Sequence, residues 1–167
     1  MAPMVQSDSL AYAYAANNNA SCGSCYQLTF TGQSHNGGTP DQGSAAMCGK
    51  SIIVQVVNTG NITSGQFDLL IPGGGVGQFN ACSNQWHSSN LGVQYGGLML
   101  QCEQDNNYDY AKYTQCTIDA CKSLFSSNSQ MEQGCEFIIN WMKGADNPSV
   151  MYQSVSCPSQ LRNNSGL

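Results

Sequence analysis

The sequence predicts a mainly β fold, stapled by disulfides and interrupted by loop and helical insertions, and three observations carry that expectation. Apolar and polar residues alternate in several short runs, Gly and Pro punctuate the intervals between them, and nine cysteines occur in 167 residues. Alternation presents one face of each run to a core and the other to water. A short chain so rich in cysteine reads as a disulfide scaffold.

The elements follow in order. Leu10-Ala-Tyr-Ala-Tyr-Ala-Ala16 alternates large and small residues as a strand does, yet it is also an Ala-rich segment that Ser7-Asp8-Ser9 could cap and Asn17-Asn18-Asn19 could stop, so strand and helix both stand. Tyr26, Leu28 and Phe30 alternate with Gln27, Thr29 and Thr31, and Ser51 to Asn58 is a β-branched run; both are strands. Phe67 to Ile71 is a third, ended by Pro72-Gly-Gly-Gly75. Phe137 to Met142 and Val150 to Val155 are the fourth and fifth, bridged by the turn signal Gly144-Ala-Asp-Asn-Pro148. Between Cys102 and Gly134 the spacing of Ile118, Cys121, Leu124 and Phe125 predicts one short helix, and Gly32 to Gly49 reads as a Gly/Ser-rich surface loop. No linker divides the chain, so residues 1–167 are expected to form a single domain with insertions at about 32–49 and 103–134.

Composition narrows the partners. Only 9% of residues are charged, against roughly 25% in ordinary soluble domains, and polarity comes instead from 16 Asn, 16 Gln and 20 Ser. Five scattered basic residues in a chain of net charge −5 cannot neutralise a row of phosphates, which excludes nucleic acid and anionic membrane surfaces as partners. No run approaches the ~18 apolar residues of a membrane span. The first residues have neither a basic nor an apolar signal region. The cysteines and the sequons at Asn19, Asn61 and Asn163 nevertheless point to an oxidising, secretory route, so the protein is expected to be secreted, with its signal peptide not present in this chain. Nine cysteines leave at least one without an intrachain partner.

Among ten carboxylates, Asp68 differs from the rest. It interrupts an apolar strand, where partial desolvation would favour the protonated form that a general acid needs; satisfaction by amides of the following glycine loop is the structural alternative. Asp8 and Asp41 precede it in loop segments, and Asp146 is expected to order a turn. The glycine run after Pro72 lacks the Lys-Ser/Thr of a phosphate loop and reads as a tight backbone crossing. Cys22-Gly-Ser-Cys25 has redox or zinc spacing, but there is no second such pair and His35 and His87 lie in polar loops, so structural disulfides are expected, with no metal or cofactor. Trp86, Trp141 and Tyr95 could fill a core or stack on a sugar ring, with Tyr95 the better binding candidate.

Several of these segments, taken in order, resemble the endoglucanases of glycoside hydrolase family 45: Cys22 to Thr31, Ile52 to Gly60, Phe67-Asp-Leu-Leu-Ile-Pro-Gly-Gly-Gly-Val-Gly77, Tyr95-Gly-Gly97, Gly144 to Ser149 and Val155-Ser-Cys-Pro158. The resemblance implies a six-stranded double-psi β-barrel, a monomer that cleaves internal β-1,4 bonds of cellulose with inversion, and Asp68 as general acid. Tyr95, Asn61 and Gln66 are implied to bind substrate, the last two standing where the family usually carries Asp and His. The family's base lies in an amino-terminal Tyr-Trp-Asp-Cys-Cys segment that this sequence does not contain. The resemblance also implies Cys25–Cys157 and Cys102–Cys135, with Cys116–Cys121 closing the insertion. Cys22 and Cys82 correspond to cysteines whose partners lie in the absent segment. Either Cys22 pairs with Cys48 and Cys82 stands alone, or the chain is a fragment of a longer domain. A non-hydrolytic, expansin-like cellulose-binding module is the second functional class, since it would use the same barrel without a base.

Overall fold

The alternating runs pair into one mixed sheet. Its strands are β1 (Met4–Val5), β2 (Leu10–Ala16), β3 (Cys25–Ser34), β4 (Ser51–Asn58), β5 (Asp68–Leu69) and β6 (Pro148–Val155), ordered β1-β2-β4-β3-β6 with β5 paired to β2. The computed structural model describes residues 2–35, 37–60, 62–80 and 82–167. The open question at Leu10–Ala16 resolves as a strand. Ala11, Ala13 and Ala15 lie opposite Ile52, Val54 and Val56 of the parallel β4, all six buried. The small residues make room for the β-branched ones. On the other face Tyr14 and Cys25 pack with Leu161 of α6 (Ser159–Ser165), and the Tyr14 hydroxyl donates to the Leu161 carbonyl at 3.0 Å. The Cys25–Cys157 disulfide ties the start of β3 to the segment between β6 and α6, as the resemblance implied.

The chain divides into two compact units: residues up to Leu70 together with Ala145–Leu167, and Ile71–Gly144. The first holds the sheet, α6 and a short α1 (Gln42–Ala46), so the segment expected to be a loop between Gly32 and Gly49 is part strand and part helix. Asp41 caps α1, accepting from the Ser44 amide at 2.8 Å.

The second unit is helical, with α2 (Cys82–Trp86), α3 (Gly97–Asp105), α4 (Tyr110–Leu124) and α5 (Ser129–Asn140) where one helix was expected. Phe137 to Met142, read as a strand, instead ends α5 and its cap. A short apolar run fits either period, and here the Asn128 cap and the buried face Gly134, Cys135 and Phe137 decide for helix. Trp141 is buried as expected, stacked on Phe137 at 5.2 Å. Trp86 packs edge-on against Phe125.

The disulfides here join Cys102 to Cys116 and Cys121 to Cys135, correcting Cys102–Cys135 and Cys116–Cys121. The reason is helix geometry. Cys116 and Cys121 both lie on α4, where five residues advance about 7.5 Å and turn the side chains apart, beyond the reach of a disulfide. Cys22 and Cys48 are exposed free thiols, so the alternative bond between them is not formed, and Cys82 is a half-buried free thiol. Among the described residues no helix is long and apolar enough to cross a membrane.

Candidate functional site

The acid candidate is built by the end of β2. Ala16 pairs with Asp68 and Ala15 with Leu69, and the Leu70 amide donates to the Tyr14 carbonyl at 2.9 Å, so three consecutive residues are fixed along one strand. A register shift between Ala15 and Ala16 lets β2 serve β4 on one side and β5 on the other. β5 is only two residues long, and the Asp68 side chain is exposed. The partial desolvation expected from the alternation of Phe67 to Ile71 is therefore not present; that expectation assumed a longer strand. One oxygen is engaged nonetheless. Gln66 Nε2 donates to Asp68 Oδ1 at 2.7 Å.

The structure thus brings Gln66 and Asp68 together, while Asn61 lies outside the described residues. The residue between them is anchored by rings. Phe67 meets Tyr26 at 5.4 Å and Tyr152 at 5.2 Å, and those two tyrosines meet at 6.2 Å, a triad held by edge-to-face and tilted contacts. The loop before Phe67 is tied to the run after β2. Asn17 Nδ2 donates to the Gln66 carbonyl at 2.8 Å, Asn18 Nδ2 to the Ile62 carbonyl, and Asn19 Nδ2 to Ser64 Oγ at 2.7 Å. Sequence reasoning missed this set because Asn17-Asn18-Asn19 reads only as a stop signal; the sign available was three adjacent amides ending a buried strand.

Two other carboxylates are committed to structure. Asp41 spends Oδ1 on the α1 cap, and its buried Oδ2 has no hydrogen-bond partner among the described residues. Burial, and after it the negative charge of Asp41, hold the Asp146 carboxyl above the usual carboxylate range. Asp8 is exposed. Among the described residues no group of three His, Cys, Asp or Glu is disposed to hold a metal ion.

In the second unit the glycine run is the tight crossing its composition suggests. Leu98 donates its amide to the Gly73 carbonyl at 2.9 Å, and Gly77 donates to Gln94 at 3.0 Å. A Cβ on Gly97 would stand 1.9 Å from the Gly73 carbonyl oxygen. The two glycines after Tyr95 let the chain turn past this run, and Tyr95 itself is 65% exposed.

The class of protein, a glycoside hydrolase, comes from comparison with known proteins. The chain belongs to Glycosyl hydrolase family 45, whose model it matches over residues 1–167. It is similar to Endoglucanase B of Cellvibrio japonicus, 48% identical over 173 residues that make up 99% of this chain and 34% of that protein. An endoglucanase of Cryptopygus antarcticus is 38% identical over 84% of this chain and 49% of its own length. The crystal structure of the cellulase from this Antarctic springtail superposes with a TM-score of 0.66 at 34% identity, covering 99% of this chain and 68% of that one. The chain thus spans about a third to a half of the curated relatives it matches.

Proposed function

We propose that the protein is a secreted, monomeric endo-β-1,4-glucanase that hydrolyses internal bonds of cellulose with inversion, that Asp68 is its general acid, and that residues 1–167 form a single double-psi β-barrel domain. The observation that carries this reading is the Gln66–Asp68 hydrogen bond at the start of the edge strand β5, in a chain that matches the family over residues 1–167. With Oδ1 accepting from an amide, the carboxyl proton is directed to Oδ2, which has no hydrogen-bond partner among the described residues and can hand the proton to a leaving glycosidic oxygen. Inversion further requires a second carboxylate about 6.5–9.5 Å from the first, activating water on the opposite face of the sugar. Tyr95, presented by the glycine crossing, offers a ring for stacking on a pyranose. A surface of amides and hydroxyls with 9% charged residues suits a neutral polysaccharide.

The decisive variant is Asp68→Asn, which preserves shape and removes the proton. Release of reducing ends from a soluble β-1,4-glucan is expected to fall at least about a hundredfold, with the thermal midpoint unchanged because the side chain is exposed. Undiminished activity would overturn the role of Asp68. A wild-type protein that binds cellulose but releases no reducing ends over long incubation would favour the expansin-like alternative.

A further inference from the structure

Asn17 is 3% exposed, yet its side chain is an amide, and both ends of that amide are used. Its Oδ1 accepts from the Asn19 backbone amide at 2.8 Å, while its Nδ2 donates to the Gln66 carbonyl at 2.8 Å. Its own backbone amide is fixed to the Asn58 carbonyl at 3.1 Å. A buried polar group is retained at this cost only when it is hydrogen-bonded, and here one partner is the backbone of Gln66, the residue whose side chain reaches the Asp68 carboxyl. Asn18 adds a bond to the Ile62 carbonyl and Asn19 one to Ser64 Oγ, so the loop from Ile62 to Gln66 is held at three points by consecutive residues. At the end of that loop the Gln66 side chain reaches Asp68 Oδ1.

We infer that the Asn17–Asn18 amide clamp is a positioning device for Asp68: it fixes the backbone of Gln66 so that the Gln66 amide stays on Oδ1 and the proton-bearing Oδ2 keeps one orientation. This inference rests on the reading of Asp68 as the acid. The physical need is specific. Asp68 is exposed, so burial does not confine its carboxyl; a hydrogen bond orients it, and that bond comes from Gln66, whose own backbone is held by Asn17. A misplacement of about 1 Å at a reacting group is enough to lose one to two orders of magnitude in rate. Asn is required at position 17 because it accepts and donates at once. Asp would present a second oxygen to the Gln66 carbonyl, and Ala would leave that carbonyl and the Asn19 amide without their partners.

The test is a double-mutant cycle in the full-length protein, assayed on a soluble β-1,4-glucan with Asp68→Asn run beside it. Asn17→Ala is expected to lower kcat about tenfold with KM within about twofold, since the clamp acts on proton delivery and not on binding. The combination of Asn17→Ala with Gln66→Ala is expected to lose no more than Gln66→Ala alone, because both act through one hydrogen bond. A merely structural role would add its loss to the other. Wild-type kcat in Asn17→Ala, or additive losses, would overturn the inference while an inactive Asp68→Asn still upheld the acid. An active Asp68→Asn would remove the acid and the inference together. If Asn17→Ala melts below the assay temperature, Asn18→Ala decides, since that residue is exposed and donates to the same loop. It should show the same fall in kcat and the same non-additivity with Gln66→Ala, and unchanged kcat there would equally overturn the inference.

Discussion

Asp146 ties the stability of this protein to pH. Burial first, and the charge of Asp41 second, raise its carboxyl above the ordinary value near ~3.9. Between the ordinary and the raised value the folded chain binds more protons at this site than the unfolded chain, so stability falls as pH rises through that window and stays lowered above it. Asp146→Asn removes the charge while its side-chain oxygen can still accept from Asn147 Nδ2, a bond of 2.8 Å. The variant is expected to melt roughly 1–2 °C above the wild type at pH 7, a small figure because solvent screens a half-exposed carboxyl, and to converge with it near pH 3. Melting curves that stay parallel across this range would contradict the assignment. The comparison between Asp146 and Asp68 also shows what sequence can tell at this scale. That Asp68 is the odd carboxylate was legible from its place in an apolar run, but its exposure was not, since exposure depends on β5 stopping after two residues. Asp146 was legible as a turn former. The charge facing it from Asp41, more than a hundred positions away, was not.

Among elements, the crossing of the glycine run and the turn after Tyr95 shows the strongest steric constraint. Gly97 has φ +60°, and a Cβ there would lie 1.9 Å from the Gly73 carbonyl oxygen and 2.4 Å from the Gly75 amide. Backbone atoms cannot swing aside as a side chain does. Gly97→Ala is therefore expected to destabilise the second unit by about 3 kcal/mol or more, read as a lowered urea midpoint, and to reduce turnover because Tyr95 is displayed by the same turn. Insensitivity of both would show that the turn yields. α4 offers a milder comparison. Asp109 caps it through the Lys112 amide at 3.2 Å, a bond that is the leading cause of its lowered carboxyl pKa, and Asp109→Ala should lower the urea midpoint of the second unit slightly, by far less than Gly97→Ala. The glycine crossing and the strands β3, β4 and β6 were readable because composition and period are local signals. The helix over Ser129–Asn140 was not: Phe137-Ile-Ile is a short apolar run whose period is ambiguous, and its cap at Asn128 lies far upstream of it.

At the scale of the molecule, covalent connectivity is the most direct check on how the helices are joined. Three bonds, Cys25–Cys157, Cys102–Cys116 and Cys121–Cys135, leave Cys22, Cys48 and Cys82 as thiols. The unreduced chain of 167 residues should therefore bind three equivalents of a thiol reagent when unfolded. In the native state Cys22 and Cys48, both exposed, should react at once. Cys82 should lag, because it is half-buried and lines an apolar pocket with Trp86, Leu124 and Met131. Cleavage at Asp119 separates Cys116 from Cys121, so peptide mapping distinguishes the two possible pairings: Cys102 should travel with the fragment holding Cys116, and Cys135 with that holding Cys121. A fragment joining Cys102 to Cys135 would restore the connectivity implied by resemblance. The energetic consequence differs by bond. Each helical disulfide spans a separation of 14 residues and is worth about 3 kcal/mol by loop entropy, whereas Cys25–Cys157 spans 132 and is worth close to 5. Mild reduction that opens Cys25–Cys157 should consequently lower the melting temperature more than the loss of either helical bond. Because that bond tethers the start of β3, activity should fall with it.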